Sequence, residues 1–291
     1  QDADRLLPQG VACHDMSMAA DVAGWFGQQG RACVIKADHG EGGLGHLIIH
    51  PDACGANDGI LEQLQQNPFL RGDLIIVEEY IPSAQQLSPS LEFFVPPPEQ
   101  GPPQVTYLSN QIFLTFGTFG GVMLSRELTE TPWYPTLEAC GRTIAAQLQA
   151  MGYVGHFDLD TVVDDSQRVF LLEVNSRRTG GTHVHEFARF HFGPNYLEHV
   201  TLLGHNKLPS GNITCFEELA DRLSDLLYPI SSAKRGVVIT VTSALALKEF
   251  GCIIVASSAH EALLLQGELL NRLGVEAGIK SQTGLSMPAQ R

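Results

Sequence analysis

Residues 155–181, GHFDLDTVVDDSQRVFLLEVNSRRTGG, gather side chains that could do chemistry. GHFDLDTVV and RVFLLEV read as β-strands, and Asp164-Asp165-Ser166-Gln167 between them is turn chemistry. Alternate residues of a strand share a face. His156, Asp158 and Asp160 therefore project one way, and Phe157 and Leu159 the other. On the second strand Glu173 and Asn175 share a face, opposite Leu172 and Val174. If the two polar faces coincide, Asp158, Glu173 and Asn175 converge on one spot, with Arg177 and Arg178 at its lip. Two carboxylates and a neutral amide oxygen make a hard-oxygen set, suited to Mg²⁺ that phosphates also hold. A solvated hairpin with polar residues facing water is the plainer alternative. LLEVNS closing an apolar strand and running into RRTGG favours the metal reading.

A second cluster lies near the start of the chain. ACVIKA at 32–37 reads as a short buried strand carrying Lys36, and HGEGGLGHLIIH follows at 39–50. Gly40, Gly42 and Gly45 spell GxGxxG, a weak signal alone. A dinucleotide site needs a helix after the glycines, whereas LIIH before Pro51 looks like another strand. Strand, glycine loop and strand make a flap whose backbone amides can lie over phosphates. The absence of GxxxxGK[ST] excludes a P-loop. A glycine hairpin with no ligand is the alternative.

The remaining elements position these clusters. Residues 17–29 predict a helix with Ser17 as N-cap and Gly30 as its stop, and 58–66 predict another. DLIIVEEYI at 73–81 predicts a strand ending in two carboxylates. LEFFV and QVTYLSNQIFLTF stand on either side of PPPEQGPPQ, which is therefore a surface connection. Residues 136–151, capped by Thr136 and stopped by Gly152, predict an amphipathic helix directly before the hairpin. Further helices are expected at 217–228 and 259–273, with strands at VVITVTS and CIIVASS. Residues 1–14 carry no strong pattern, and the tail from Gly278 is expected to fray. His183, His185 and His191 could suggest zinc, but the nearby carboxylates suit magnesium better, so these histidines read as structural or substrate-facing.

The 291 residues allow one large domain or two smaller ones. A net charge of −14 argues against nucleic-acid binding, which needs a basic surface. The six cysteines are scattered and form no CxxC pair, so a reducing cytoplasm is the simpler setting. No apolar run is long enough to span a bilayer. The chain opens with Gln1, which suggests a fragment or a processed product.

Lys36 with its glycine flap, VEEYI, and GHFDLD…FLLEVNSRRTGG stand in the order that resembles ATP-grasp ligases, over roughly residues 15–205. EVNSRRTGGTH is most similar to the pheganomycin-type peptide ligases. The resemblance implies an α+β ATP-grasp fold, two lobes gripping ATP between them, with a small C-terminal α/β extension. It places the small lobe at 1–85, the large lobe at 86–211 and the extension at 212–291. It implies an ADP-forming carbon–nitrogen ligase that phosphorylates a carboxylate and lets an amine attack the acyl phosphate. Loading of an amino acid onto a carrier protein and a nucleotide-binding regulatory module without ligase activity are the alternatives. The implied cofactors are ATP and Mg²⁺, with Mn²⁺ as a substitute. The implied partners are a small carboxylate and an amine, with no nucleic acid and no membrane, and a homodimer is compatible.

By the same resemblance, Lys36 contacts the nucleotide phosphates and His39, Gly40, Gly42, Gly43 and Gly45 form the flap. Glu78 lies near the adenine amino group, with the backbone of Glu79, Tyr80 and Ile81 beside the ring. Asp158, Glu173 and Asn175 are the metal ligands. Arg177, with Arg178 as the weaker candidate, stabilises the reacting carboxylate and the tetrahedral intermediate. Three departures stand out. The usual ribose-binding glutamate is replaced by the run Ser88-Pro89-Ser90-Leu91, leaving Glu92, Gln85 or Gln86 as substitutes. His156 stands where several ligases have arginine. A second phosphate-binding lysine, normally several tens of residues upstream of Lys36, would fall before residue 1, as would an N-terminal lobe that a partner chain could supply.

Overall fold

The computed structural model describes residues 6–37, 45–53, 57–71, 74–115, 118–230 and 233–275. Chain contacts divide it into two units. The first is 1–83 with 114–119 and 170–172, and the second is the remainder.

In the first unit, β1 (Gly10–Cys13), α1 (Met16–Gln28), β2 (Cys33–Ala37), β3 (Leu47–Ile49), α2 (Asn57–Gln66) and β4 (Ile75–Glu79) follow one another. The strands form an antiparallel sheet in the order β1-β4-β2-β3. Alternation in β2 and β4 sends Cys33, Ile35, Ile75 and Val77 into one core with Ala19, Ala23 and Phe26 of α1 and Ile60 and Leu64 of α2. Lys36 and Glu78 stand on the other face. Asp15, not Ser17, caps α1: its carboxylate accepts the Met18 amide at 2.8 Å, which leaves Ser17 inside the first turn. β1 escaped the sequence reading because three of its four residues are exposed, so it carries no buried alternation.

The second unit holds β5 (Pro89–Val95), most of β6 (Gln104–Thr115) and of β7 (Thr118–Leu124), α3 (Tyr134–Ala150) and β8 (Gly155–Val163). β9 (Val169–Asn175), α4 (Thr182–Phe192), β10 (Thr201–Pro209), α5 (Phe216–Arg222), β11 (Gly236–Val241), β12 (Glu249–Ala256) and α6 (Ala259–Arg272) follow. The eight strands β5 to β12 make one sheet ordered β11-β12-β10-β7-β6-β5-β8-β9. β11 and β12, within the stretch read from sequence as a C-terminal extension, are thus strands of the sheet that carries the β8–β9 hairpin.

α3 begins at Tyr134, two residues before the expected Thr136. Pro135 fits the first turn, where its missing amide costs nothing, and no side chain caps the helix. α5 stops at Arg222, shorter than the expected 217–228, because Leu226 and Leu227 turn out to meet Val237. α3 packs on the Leu91 and Phe93 side of β5: a Cβ at Gly141 would meet the Phe93 ring at 2.5 Å. α4 lies on the opposite side, close enough to β10 that a Cβ at Gly204 would meet Val184 Cγ2 at 2.5 Å. α5, α6, β10 and β12 enclose the larger core, including Leu203, Leu219, Phe250, Ile254 and Leu269.

Candidate active site

The carboxylates of the second unit are arranged by the register of β5 on β8. Ser90 stands opposite Asp160, Glu92 opposite Asp158 and Phe94 opposite His156. With side chains alternating, these six share one face, while Leu91, Phe93, Phe157 and Leu159 fill the other. Asp158 is buried, and the Ser90 hydroxyl donates to its two oxygens at 2.7 and 2.6 Å. Asp160 accepts from the Asn175 amide at 2.9 Å and from Gln111 of β6. Glu173 is exposed, near enough to Asp160 to act on its charge. The hairpin therefore brings Glu173 and Asn175 together with Asp160. Asp158 sits one step along β8, about 6.6 Å per two residues, beside Ser90 and Glu92.

Burial pushes the Asp158 carboxyl up to about 6; Glu92 adds to the rise, and Ser90 and Thr179 oppose it. Burial, then the Asp158 and Glu173 charges, raise Asp160 well above the usual carboxylate range. Such a cluster favours a bound cation or a shared proton.

Arg177 and Arg178 follow β9 and are both exposed. Arg177 donates from Nη2 to Asn175 Oδ1 and from Nη1 to the Arg178 carbonyl, each at 3.2 Å. The loop then enters α4, where Thr182 donates to Glu92 Oε2 at 2.5 Å. His185 is buried, bonded to the Tyr196 hydroxyl at 2.9 Å and stacked on Tyr107. It is a satisfied packing residue. His183 is exposed on the same helix.

In the first unit Lys36 forms an ion pair with Glu78, and the two side chains are only 16% and 12% exposed. His46 lies close enough that burial, then Lys36, lower its pKa. Glu79 is committed elsewhere: it accepts from the Gln9 amide at 2.8 Å and pairs with Arg31. The Glu79 and Tyr80 amides donate to Gln9 and Ala32 carbonyls at 2.8 and 3.0 Å, while Ile81 follows the end of β4, half-buried. Gly45 holds φ +90°, and a Cβ there would meet Phe69 Cβ at 2.8 Å, so glycine is required on both counts. His39, Gly40, Gly42 and Gly43 of the expected flap lie outside the described residues.

No protein-family model matches the sequence, and no curated protein sequence matches it. Solved structures do. Carboxyaminoimidazole ribonucleotide synthase from Aspergillus clavatus, complexed with ATP, superposes with a TM-score of 0.59 at 12% identity, over 92% of this chain and 69% of that one. Biotin carboxylase from Campylobacter jejuni, in a β,γ-ATP complex, gives 0.63 at 14% identity, over 91% and 63%. The biotin carboxylase domain of Hydrogenobacter thermophilus 2-oxoglutarate carboxylase, complexed with MgADP and bicarbonate, gives 0.62 at 14%, over 91% and 62%. The fold is ATP-grasp. This chain spans about two thirds of the length of these structures.

The ATP-grasp fold raises the question of a divalent cation. Among the described residues no three His, Cys, Asp or Glu side chains converge closely enough to hold a metal ion by themselves. Mg²⁺, however, takes one or two carboxylates and completes its shell with water and phosphate. Asp160 and Glu173 supply two such carboxylates, and burial, then the neighbouring acids, raise the Asp160 carboxyl. Asn175 turns its amide nitrogen to Asp160 and its oxygen to Arg177, so it adds a neutral oxygen only with that amide turned over. The two carboxylates fit the requirement of such an ion.

Two residues of this acid face stand out once the strands are paired. Asp160 shares the face of Asp158 by simple alternation, and its advantage comes only from the β8–β9 pairing. Glu92 appeared as a substitute ribose ligand. It is instead fully buried and bonded to His156 Nδ1 at 2.9 Å as well as to Thr182. The signal was the polar pair Ser90 and Glu92 at alternate positions of an otherwise apolar strand.

Proposed function

We propose that this chain is an ADP-forming ATP-dependent ligase that joins a carboxylate to an amine. The observation that carries the reading is the acid face of β8 and β9, Asp158, Asp160, Glu173 and Asn175, on an ATP-grasp fold with Arg177 bonded to that set. Among the structural neighbours, a carboxyaminoimidazole ribonucleotide synthase is complexed with ATP and a biotin carboxylase domain with MgADP and bicarbonate, which supports the reaction class. EVNSRRTGGTH favours the finer reading, a peptide-like amide between amino acids or short peptides. The six scattered cysteines, with no CxxC pair, accord with a cytoplasmic setting, and no described helix is long and apolar enough to cross a membrane.

Mg²⁺ or Mn²⁺ held by Asp160, Glu173 and Asn175, with Asp158 behind them, would neutralise charge on the transferring phosphoryl group. Lys36 would exchange its Glu78 partner for a nucleotide phosphate, leaving Glu78 free to accept from the adenine amino group. The substrate carboxylate attacks the γ-phosphorus, and ADP leaves with the bond electrons. The amine then adds to the acyl phosphate, loses a proton and expels phosphate. As the carbonyl oxygen gains charge, the planar guanidinium of Arg177 is suited to stabilise it.

The test is a screen of amino acids and short peptides for stimulated ADP release with Mg²⁺, followed by product mass. A pair that raises ADP release and yields a product lighter by one water than its two parts supports the reading. ATP binding with no acid or amine changing turnover would leave a nucleotide-binding module instead.

A further inference from the structure

Glu92 is fully buried, and its carboxylate is surrounded by polar side chains. Oε1 meets His156 Nδ1 at 2.9 Å and the Thr106 hydroxyl at 3.2 Å. Oε2 accepts from Thr182 at 2.5 Å, Tyr107 at 3.3 Å and Thr179 at 3.4 Å. A buried carboxylate is tolerated only when donors surround it. Five groups reach this one, with Tyr107 and Thr179 also bonded to each other and the Thr106 hydroxyl also donating to the Glu92 carbonyl at 3.0 Å. Thr179 and Thr182 flank the loop between β9 and α4, the loop that carries Arg177 and Arg178. Two further hydrogen bonds lock it: the Tyr107 hydroxyl bonds the Thr179 hydroxyl at 2.9 Å and the Thr179 amide donates to Thr182 Oγ1 at 2.9 Å. Gly181 packs so close to Tyr107 that an added Cβ would meet its hydroxyl at 2.7 Å. The Thr179 hydroxyl also bears on Asp158. One carboxylate therefore ties the strand opposite Asp158 to both ends of the segment that follows the arginines.

We propose that Glu92 is a positioning residue: through Thr179 and Thr182 it fixes the 176–181 loop, and so sets where the Arg177 guanidinium stands relative to Asp160 and Asn175. The inference rests on the ligase reading for its consequence, but the clamp itself can be tested without turnover. Glu92→Gln keeps the shape, and removes the charge that makes these hydrogen bonds strong. An amide in place of the second oxygen also turns a donor toward the threonine hydroxyls.

The experiment has two arms on the whole chain. In the first, hydrogen exchange followed by mass spectrometry compares peptides covering 176–182 with peptides covering α3. Exchange in 176–182 should rise by about tenfold or more in Glu92→Gln while α3 is unchanged. Unchanged exchange in 176–182 would overturn the clamp whether or not the protein turns over ATP. The second arm is a kinetic double-mutant cycle with the active protein. Glu92→Gln should lower kcat by roughly 10- to 100-fold with the KM for ATP moved by less than about threefold, and should cost less than about threefold in an Arg177→Ala background. An equal loss in both backgrounds would show that Glu92 does not act through Arg177 and would overturn the proposal. If Glu92→Gln fails to fold, Thr179→Val removes one hydroxyl from the same carboxylate and serves both arms with the same expected directions. Absence of any ATP turnover in the native chain would sink the ligase reading and leave the exchange arm to decide the clamp.

Discussion

At the scale of single residues, the proposed ligase divides into groups that would hold the nucleotide and groups that would serve the reaction. Lys36→Ala removes a charged donor whose bond to a phosphate is worth about 1.5–3 kcal/mol. ATP affinity measured by calorimetry should therefore fall roughly 10- to 100-fold. Glu173→Gln keeps size and polarity but removes one of the two negative charges offered to the cation. ADP formation should drop by at least about 100-fold while the thermal transition stays in place; near-normal turnover would remove Glu173 from the metal set. Arg177→Lys keeps charge but loses the planar fork, and amide formation should fall by orders of magnitude with ATP binding retained. The faces of β8 and β9 were legible in the sequence, because strand alternation fixes faces without any knowledge of the fold. The partner of each acid was not legible. Whether Asn175 meets Asp158 or Asp160 depends on the register of β8 on β9. Likewise Glu92 meets Thr182 only because a strand and a helix 90 positions apart are packed together.

At the scale of elements, α4 is held by a close approach that only glycine permits. Gly204→Ala would drive a Cβ into Val184 and lift α4 from β10, with an expected loss of about 1–3 kcal/mol in urea unfolding. Trimming the other side, in the Gly204→Ala/Val184→Ala double variant, should recover part of that loss; a double variant no better than Gly204→Ala would contradict the contact. β10 also carries His205, wholly buried, with neither ring nitrogen in hydrogen-bonding geometry and Gln266 only near enough to favour the charged form slightly. Burial lowers its pKa from 6.5 to about 4. The folded state thus binds fewer protons than the unfolded chain in that window, and stability falls as pH drops through it, by up to roughly 3 kcal/mol. His205→Leu should flatten the dependence of unfolding free energy on pH between about 6.5 and 4. An unchanged slope would show that His205 is not the titrating group. The elements themselves were read well where amphipathic periodicity was strong, as in α3 and α6. They were misread where ends depend on capping, as with Asp15 for α1, and where tertiary contacts end a helix early, as Val237 does for the residues after α5.

At the scale of the whole molecule, the order of Lys36, VEEYI and the hairpin resembles that of ATP-grasp ligases, and the fold is the one this resemblance implies. The inclusion of β11 and β12 in the large sheet is not legible in the sequence, since the pairing of β12 on β10 and of β11 on β12 leaves no mark in local pattern. A fold shared at 10–14% identity establishes architecture, and the chemistry rests on the acid face and the arginine loop. The central claim is that a carboxylate is phosphorylated by ATP before the amine attacks. Its direct measurement uses the acid partner that the ADP-release screen identifies, labelled with ¹⁸O in the carboxylate, and follows the label by mass spectrometry. The account predicts one labelled oxygen in each phosphate released with ADP. Label appearing in AMP, or phosphate released without label alongside the amide, would contradict it.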